Sequence, residues 1–450
     1  MPIERAPYIR YNEETSIVQY GSVDADIPVF IAPTKVLEPT QTLTVGDGEV
    51  GLKLNANDEY VTTTVASEIV AVGVQNEDES ITVLRAKDDD GYVMEYSTGN
   101  YIKAETEPTV DIEHFYAYNN IANVKSDIQD PHLLEILEDF LTENSYYMRE
   151  NMGSAYFYVI ALPSTPTGSD LSKALDLIRL RKEITSIILV GVDIAGTQAE
   201  VKGFLNDEAE DTHLRIAYYE APVNNQTTGI VNGVQKSKLE KYADEILALN
   251  ATISSPRVCL VDRNQFGKII AKICNTLYFL EPGYLPFYSV NVGEFDMRTT
   301  KERDALCMAG LIFGEDDYTL ENIVPRICLG VSSAFGKSSS GYASRTTDSL
   351  LHARRNVDHH VRELFKIIAP QLKRNETSVS LRGVQETAFA YLSSEYNKGT
   401  IMEYEFTVQE SDINPYCLNI YGKITPVNST LAIEFYNTIG APHAIASDYV

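Results

Sequence analysis

SLLHARRNVDHHVRELFKII, residues 349–368, sets the character of the C-terminal half of the chain. Laid on a helix at about 100° per residue, Val357, Val361, Leu364, Phe365, Ile368 and Leu372 gather on one side, while Arg355, Arg362 and Lys366 line the other. The pattern predicts a helix ending near Pro370, since a proline ring removes a donor and clashes with the preceding turn. A solvated helix face carries charge by default, usually of both signs. Three cations with no anion at the same azimuth predict instead a cationic ridge with something specific to face.

After this helix, residues 380–396 predict a second one, with Val384, Ala388, Leu392 and Tyr396 in one row and a stop at Gly399. Three strands follow over 401–408, 416–424 and 431–439. In the first, Met402, Tyr404, Phe406 and Val408 share a face, an alternation expected of half-buried antiparallel sheet.

Before it, the chain alternates. Asp130-Pro131 supplies a cap and a first-turn proline for a helix over 133–147. Strands over 156–161, 186–192, 214–218 and 257–261 then interleave with helices over 170–182, 198–206, 236–249 and 265–278. Nearly continuous apolar strands between helices imply a sheet covered on both faces. Residues 301–310 read as helix, 327–331 as strand, and Gly336 to Gly341 as a Ser/Gly-rich loop expected to be mobile. Nearer the start, residues 41–103 hold short apolar runs separated by Gly, Asn and Asp, the pattern of a small β domain. Residues 27–32 form a buried strand closed by Pro33, and the polar Met1 to Asp26 reads as an extended arm.

The expected fold class is therefore mixed α/β and α+β, multidomain, with an inserted β domain and extended arms at both ends. Its boundaries fall at 1–26 (N-terminal arm), 27–40 (strand entering the core), 41–110 (inserted β domain), 111–345 (α/β domain), 346–430 (C-terminal core domain) and 431–450 (C-terminal strand or arm).

At 450 residues with a formal net charge of -27, the chain can bury more than one core, and its acidity opposes general binding of nucleic acid or anionic membrane. The imbalance is uneven. Residues 1–120 hold 22 Asp and Glu against 7 Lys and Arg, whereas 345–382 hold 8 basic residues against 4 acidic ones. The cysteines Cys259, Cys274, Cys307, Cys328 and Cys417 are scattered without ligand spacing and are expected to be reduced core thiols. Met1 to Gly21 lacks the apolar core of a signal peptide, and the most apolar run, 187–192, is too short to cross a bilayer. A soluble protein is expected.

Candidate chemistry is thin. Gly330 to Ser338, GVSSAFGKS, follows a strand and ends in Gly-Lys-Ser, but Gly330 and Gly336 enclose five residues where a phosphate loop needs four. Asp88-Asp89-Asp90-Gly91 resembles a calcium loop, yet its twelfth position falls on Ser97 where a glutamate is needed. His359 and His360 are adjacent, so on a helix they diverge by about 100° and cannot share one metal. They are expected at the surface or at an interface. Neither a catalytic constellation nor a cofactor or metal site is expected.

The chain resembles tail sheath proteins of contractile phage tails and related contractile injection machines. The resemblance rests on Leu-Leu-x-x-Arg-Arg-x-Val (Leu350 to Val357) opening a helix, a second helix ending over Leu392 to Gly399, the strand over 401–408, and a last amphipathic strand after Thr425-Pro426-Val427. Ala6-Pro7-Tyr8-Ile9-Arg10 leading to 27–34, and 89–99, match more loosely. The resemblance implies a structural subunit that assembles with itself as stacked hexameric rings around an inner tail tube protein. It implies further contacts with baseplate and tail terminator proteins, assembly in the host cytoplasm into a virion tail, and contraction that drives the tube through a cell envelope. Direct nucleic-acid binding and membrane insertion are not implied. It places residues 41–110 outward and Arg355, Arg362 and Lys366 toward the tube. It also makes Tyr8, Ile9, Ile17 and Val18, with Leu431, Ile433, Phe435 and Ile439, the strand-adding positions of two arms that link neighbouring subunits. Two alternatives stay open: a non-contractile tail or baseplate structural protein, and an α/β nucleotide-binding enzyme using the middle domain.

Overall fold

The computed structural model describes residues 26–34, 41–45, 69–75, 81–84, 99–105, 116–128, 130–149, 154, 156–163, 166–179, 181–210, 213–317, 323–336, 349–368, 381–410 and 418–427. The chain opens with strands β1 (Ile27–Pro33), β2 (Gln41–Val45), β3 (Ile69–Gln75), β4 (Ile81–Leu84), β5 (Gly99–Glu105) and β6 (Tyr116–Tyr118). Helices α1 (Ile121–Asp127) and α2 (Pro131–Arg149) lead into an alternating run: β7 (Phe157–Leu162), α3 (Gly168–Arg179), β8 (Ile184–Leu189), α4 (Ile194–Glu210) and β9 (Ile216–Glu220). A hairpin of β10 (Gly229–Val231) and β11 (Val234–Lys236) precedes α5 (Lys238–Ile253), β12 (Val258–Val261), α6 (Phe266–Asn275) and α7 (Thr300–Ala309). Then come β13 (Leu311–Ile312), β14 (Gly314–Asp317), β15 (Val324–Ile327) and the short α8 (Ser333–Gly336). Helices α9 (Leu351–Ile368) and α10 (Leu381–Lys398) and strands β16 (Ile401–Glu410) and β17 (Leu418–Pro426) complete the described chain.

Seven strands form one sheet in the order β13-β12-β9-β8-β1-β7-β6, parallel throughout except for the antiparallel edge strand β6. The mixed α/β class read from the sequence is the observed one. The path from β7 to β8, β9 and β12 steps in one direction, so right-handed crossovers put α3, α4 and α5 on one face. The step from β1 to β7 runs the other way and puts α2 on the opposite face, where it packs on α6. That contact is close: a Cβ on Gly267 of α6 would lie 2.1 Å from the Ile136 carbonyl oxygen of α2. The middle strands are buried along their length, as strands covered on both faces must be. Phe30, Phe140 and Phe157 meet edge to face at 5.3–5.5 Å in the centre of the α2 side, each worth about 1.5–3 kcal/mol in burial alone. The predicted cap at Asp130 is present, its Oδ1 accepting the Leu133 amide at 2.8 Å.

Residues 41–105 contribute a separate four-stranded antiparallel sheet, β2-β5-β3-β4. The region from β9 to α5, expected as loop alone, contains the β10–β11 hairpin. Its turn residues Asn232 and Gly233 have φ of 51° and 79°, the primed-turn geometry that Asn-Gly favours. The strand expected over 327–331 ends at Ile327, and Val331 instead bridges Leu350.

A second, small core joins α9, α10, β16 and β17 through Leu364, Val384, Ala388, Leu392, Ile401, Phe406 and Val408. Here one expectation is corrected. Phe406 and Val408 point inward, but a register irregularity between Ile401 and Glu403 turns Ile401 into the core and leaves Met402 exposed. The antiparallel pairing of β16 with β17 is as expected.

Candidate interaction surface

Helix α9 runs along the amino-terminal edge of the parallel sheet, and its polar side chains, not its valines, make that contact. The Arg355 Nε donates to Asp26 Oδ2 at 3.2 Å, just ahead of β1, and its Nη2 donates to the Thr276 carbonyl at 2.7 Å, at the end of α6. Arg257, which precedes β12, grips Asp358 with two bonds of 2.6 and 3.0 Å, and Arg354 pairs with the same carboxylate. Arg362 donates to the Leu214 carbonyl at 2.9 Å, ahead of β9. Arg355 is 4% exposed and Asp358 1%. Burial opposes the Arg355 charge, but the fields of Asp26, Tyr218 and Cys274 outweigh it and hold its pKa above the ordinary value.

The expected partner-facing cationic ridge is therefore corrected. Arg355 is interior, Arg362 is half-buried, and of the three only Lys366 stands in solvent, paired with Glu363 at 2.6 Å. What Arg355 and Arg362 face is the chain's own sheet and not another molecule. Here charges of α9 seek the carbonyls and carboxylates at a sheet edge, and Phe365 on the apolar row is 42% exposed.

The two histidines are corrected as well. His360 is fully buried and within 2.8 Å of the Tyr391 hydroxyl on α10. The His359 ring stacks on Tyr278 at 3.6 Å, and the Tyr278 hydroxyl donates to Glu395. Burial, reinforced by His360, Arg362 and Lys366, lowers the His359 pKa to about 3. Burial likewise lowers that of His360 to about 4, against the opposing pull of Glu395 and Glu363. His352 meets Glu281 at 2.8 Å, and Asn356 donates to the Thr400 carbonyl at 2.7 Å. A continuous polar seam thus joins the α9–β17 unit to the α/β sheet.

The outer side of that unit is a two-stranded ribbon. Among the described residues β16 and β17 each have one edge without a strand neighbour, and Met402, Ile420, Tyr421 and Tyr396 are exposed. Lys423 lies 3.5 Å from both Glu403 and Glu405 on the solvent face. The arm positions Tyr8, Ile9, Ile17, Val18, Leu431, Ile433, Phe435 and Ile439, and the acidic turn at Asp88 to Gly91, lie outside the described residues.

At the opposite, carboxyl-terminal edge of the sheet is a cleft of about 400 Å³, the place where open α/β sheets bind ligands. Several of its charges are matched internally: the lining His132 and Arg263 lie 2.7 and 3.1 Å from Glu220, and the lining Arg298 pairs with Asp262 at 2.8 Å. The neighbouring N-terminus of α4 is capped by the protein itself. Asp193 accepts the Ala195 and Gly196 amides, and Glu220 accepts that of Gly191. A phosphate there would meet two carboxylates. In the GVSSAFGKS stretch, Ser333 is buried and donates to the Ser255 carbonyl. Among the described residues no three His, Cys, Asp or Glu side chains gather to hold a metal, and no helix is long and apolar enough to cross a membrane.

No protein-family model matches the sequence, and no curated protein does. Solved structures do match. A chain in the six-fold symmetrised cryo-EM structure of the anti-feeding prophage baseplate aligns with a TM-score of 0.54 at 12% identity, covering 97% of this chain and 99% of that one. A chain of the anti-feeding prophage helical sheath in its contracted state aligns at 0.54 and 12%, covering 96% and 99%. A chain of the contracted sheath complex of PVC, an extracellular contractile injection system, aligns at 0.52 and 10%, covering 73% and 87%. At these identities the correspondence establishes a shared fold, the one expected from the sequence resemblance.

Proposed function

We propose that this chain is the structural subunit of a contractile tail sheath. Copies assemble as hexameric rings stacked around an inner tail tube, and relaxation of the extended lattice to a compact one drives the tube through a target envelope without nucleotide hydrolysis. The supporting observation is the end-to-end correspondence of fold with a contracted sheath chain, over 96% of this chain and 99% of the other. The α9–β17 unit suits such a role. Its described core has seven buried residues, too few to stand alone, and among the described residues its ribbon edges have no strand neighbour, which leaves room for strands supplied by arms. In this reading residues 41–110 form the outward domain, and 1–26 and 431–450 the linking arms. Tube contact through α9 falls to its last turn, where Lys366 and Phe365 are exposed, and not to Arg355. Partners are further copies, the tube, the baseplate and the terminator, in a tail assembled in the host cytoplasm.

A second reading, a non-contractile subunit fixed at a baseplate, is favoured by the match to a chain from a baseplate structure. Electron microscopy of the purified protein separates the two. Tubes or long stacks of rings are expected of the sheath. Single rings that never stack would support the baseplate subunit, and discrete particles with ligand-dependent melting would support an enzyme.

A further inference from the structure

Cys307, in the last turn of α7, and Cys328, immediately after β15, lie 21 positions apart in sequence with their Sγ atoms 3.0 Å apart. That is about 1 Å beyond the ~2.05 Å of a formed disulfide. Both positions are held by their elements. A capping box between Thr299 and Glu302 starts α7 and Gly310 ends it in the left-handed region, while the Cys328 amide donates to the Phe313 carbonyl at 2.9 Å. The two sulfur atoms need to close by only about 1 Å to reach bonding distance. Their exposure also differs in a useful way: Cys307 is buried and Cys328 is partly exposed. Cys259 and Cys274, by contrast, are wholly buried in the sheet core.

We infer that Cys307 and Cys328 are a reversible disulfide site that is oxidised by a small soluble disulfide of the glutathione class. The accessible Cys328 loses its proton and attacks one sulfur of the small disulfide, giving a mixed disulfide and expelling the first small thiolate, which takes up a proton. Cys307 then loses its proton and attacks the Cys328 Sγ, expelling the second small thiolate, which is protonated in turn. The two protein thiols lose two electrons, and the small disulfide gains them as two thiols. The hydrogen bond with Cys307 and burial push the Cys328 thiol well above its ordinary pKa, with Glu315 acting in the same sense and Arg303 the other charge nearby, so attack by its thiolate is favoured by alkaline conditions. The bond formed ties α7 to the segment between β15 and Val331, the residue that bridges to Leu350 at the entrance of α9. Oxidation therefore fastens the approach to the α9 seam onto the α/β body.

The test is peptide mapping of the full chain after incubation in oxidised glutathione, with acid quench and alkylation. The expected product is a cross-linked pair of peptides carrying Cys307 and Cys328, an intact mass lower by two hydrogens, reversal by dithiothreitol, and a higher melting temperature than the reduced protein. Cys307→Ser is expected to retain glutathione on Cys328, because nothing remains to displace it. In the wild-type chain, glutathione persisting on Cys328, a cross-link to any other cysteine, or full alkylation of both thiols under every oxidising condition would each overturn the site. The wild-type result decides the matter even if the serine variant does not fold.

Discussion

Asp358 is the residue on which the α9 seam depends most, because Arg257 and Arg354 converge on one carboxylate that is 1% exposed. Neutralising one member of a buried ion pair leaves the other charges desolvated and unmatched. Asp358→Asn is therefore expected to cost about 3–5 kcal/mol in urea-induced unfolding. Lys366→Glu removes only an exposed pair and is expected to cost no more than about 1 kcal/mol. Equal effects of the two substitutions would contradict the buried assignment. Arg355→Glu would set a second carboxylate beside Asp26, so its effect on assembly would report misfolding and not a lost tube contact. The histidines supply a pH dependence of determinate sign. In the unfolded chain they take up protons near pH 6.5, and in the folded one only near pH 3 and 4. Between these limits the unfolded state binds more protons, so their contribution is complete above about pH 6.5 and is lost as pH falls toward 4. Burial also lowers the pKa of Lys272 to about 7 and raises those of Asp139, Asp262 and Glu315, so between pH 6.5 and 5 the histidine share is read from the difference between the wild-type protein and a histidine variant. The melting temperature is expected to fall across that range in the wild-type protein and to fall less in His360→Gln.

Among the elements, the alternation of helix and strand from α2 to α7 was legible because those strands are continuous apolar runs and those helices carry caps such as Asp130. Element type depends on local periodicity, and local periodicity is what a sequence displays. The faces of α9 were not legible. Arg355 finds its carboxylate 329 positions away, and no periodicity encodes that pairing. The polar side of α9 was thus expected to face a partner, and the histidines to lie at the surface or at an interface, when they belong to the seam between two units of one chain. The β10–β11 hairpin is a different case, since Asn232-Gly233 is a strong turn signal that the surrounding Asn, Thr and Gly residues obscured. The bulge that turns Ile401 inward leaves no trace in alternation at all. Nor did composition announce that Gly267 marks the crossing of α2 and α6. There an alanine Cβ would meet the Ile136 carbonyl oxygen at 2.1 Å and the Asp139 Cβ at 2.8 Å. Relief requires moving one helix backbone off the other, so Gly267→Ala is expected to destabilise by about 1–3 kcal/mol or more in urea unfolding. An unchanged midpoint would show that the two helices do not cross so closely.

For the molecule as a whole, copies with a formal charge of -27 repel one another, so a lattice of this chain needs links that do not rely on net charge. Under the proposed sheath role, one part of the fold would suit such links. The α9–β17 unit presents a two-strand ribbon whose outer edges have no strand neighbour among the described residues, over a small core. A strand from another copy would satisfy a row of backbone donors and acceptors there, and that gain is directional and little affected by salt. The seam along α9 sits behind the ribbon, so a load arriving at β16 and β17 passes through Arg355, Asp358 and Arg362 into the amino edges of β1, β12 and β9. In this scheme the arms carry assembly and the seam carries the subunit's integrity, and the two are separable. Removing Met1 to Tyr20 takes away residues that lie ahead of Asp26 and leaves every strand of the seven-stranded sheet in place. The truncated protein is expected to melt cooperatively near the temperature of the intact monomer and to sediment as a monomer. It should form no tubes by electron microscopy under conditions in which the full chain forms them. Tubes of unchanged length from the truncated chain would show that the first twenty residues do not link the copies. Loss of both tubes and cooperative melting would show that they belong to the core.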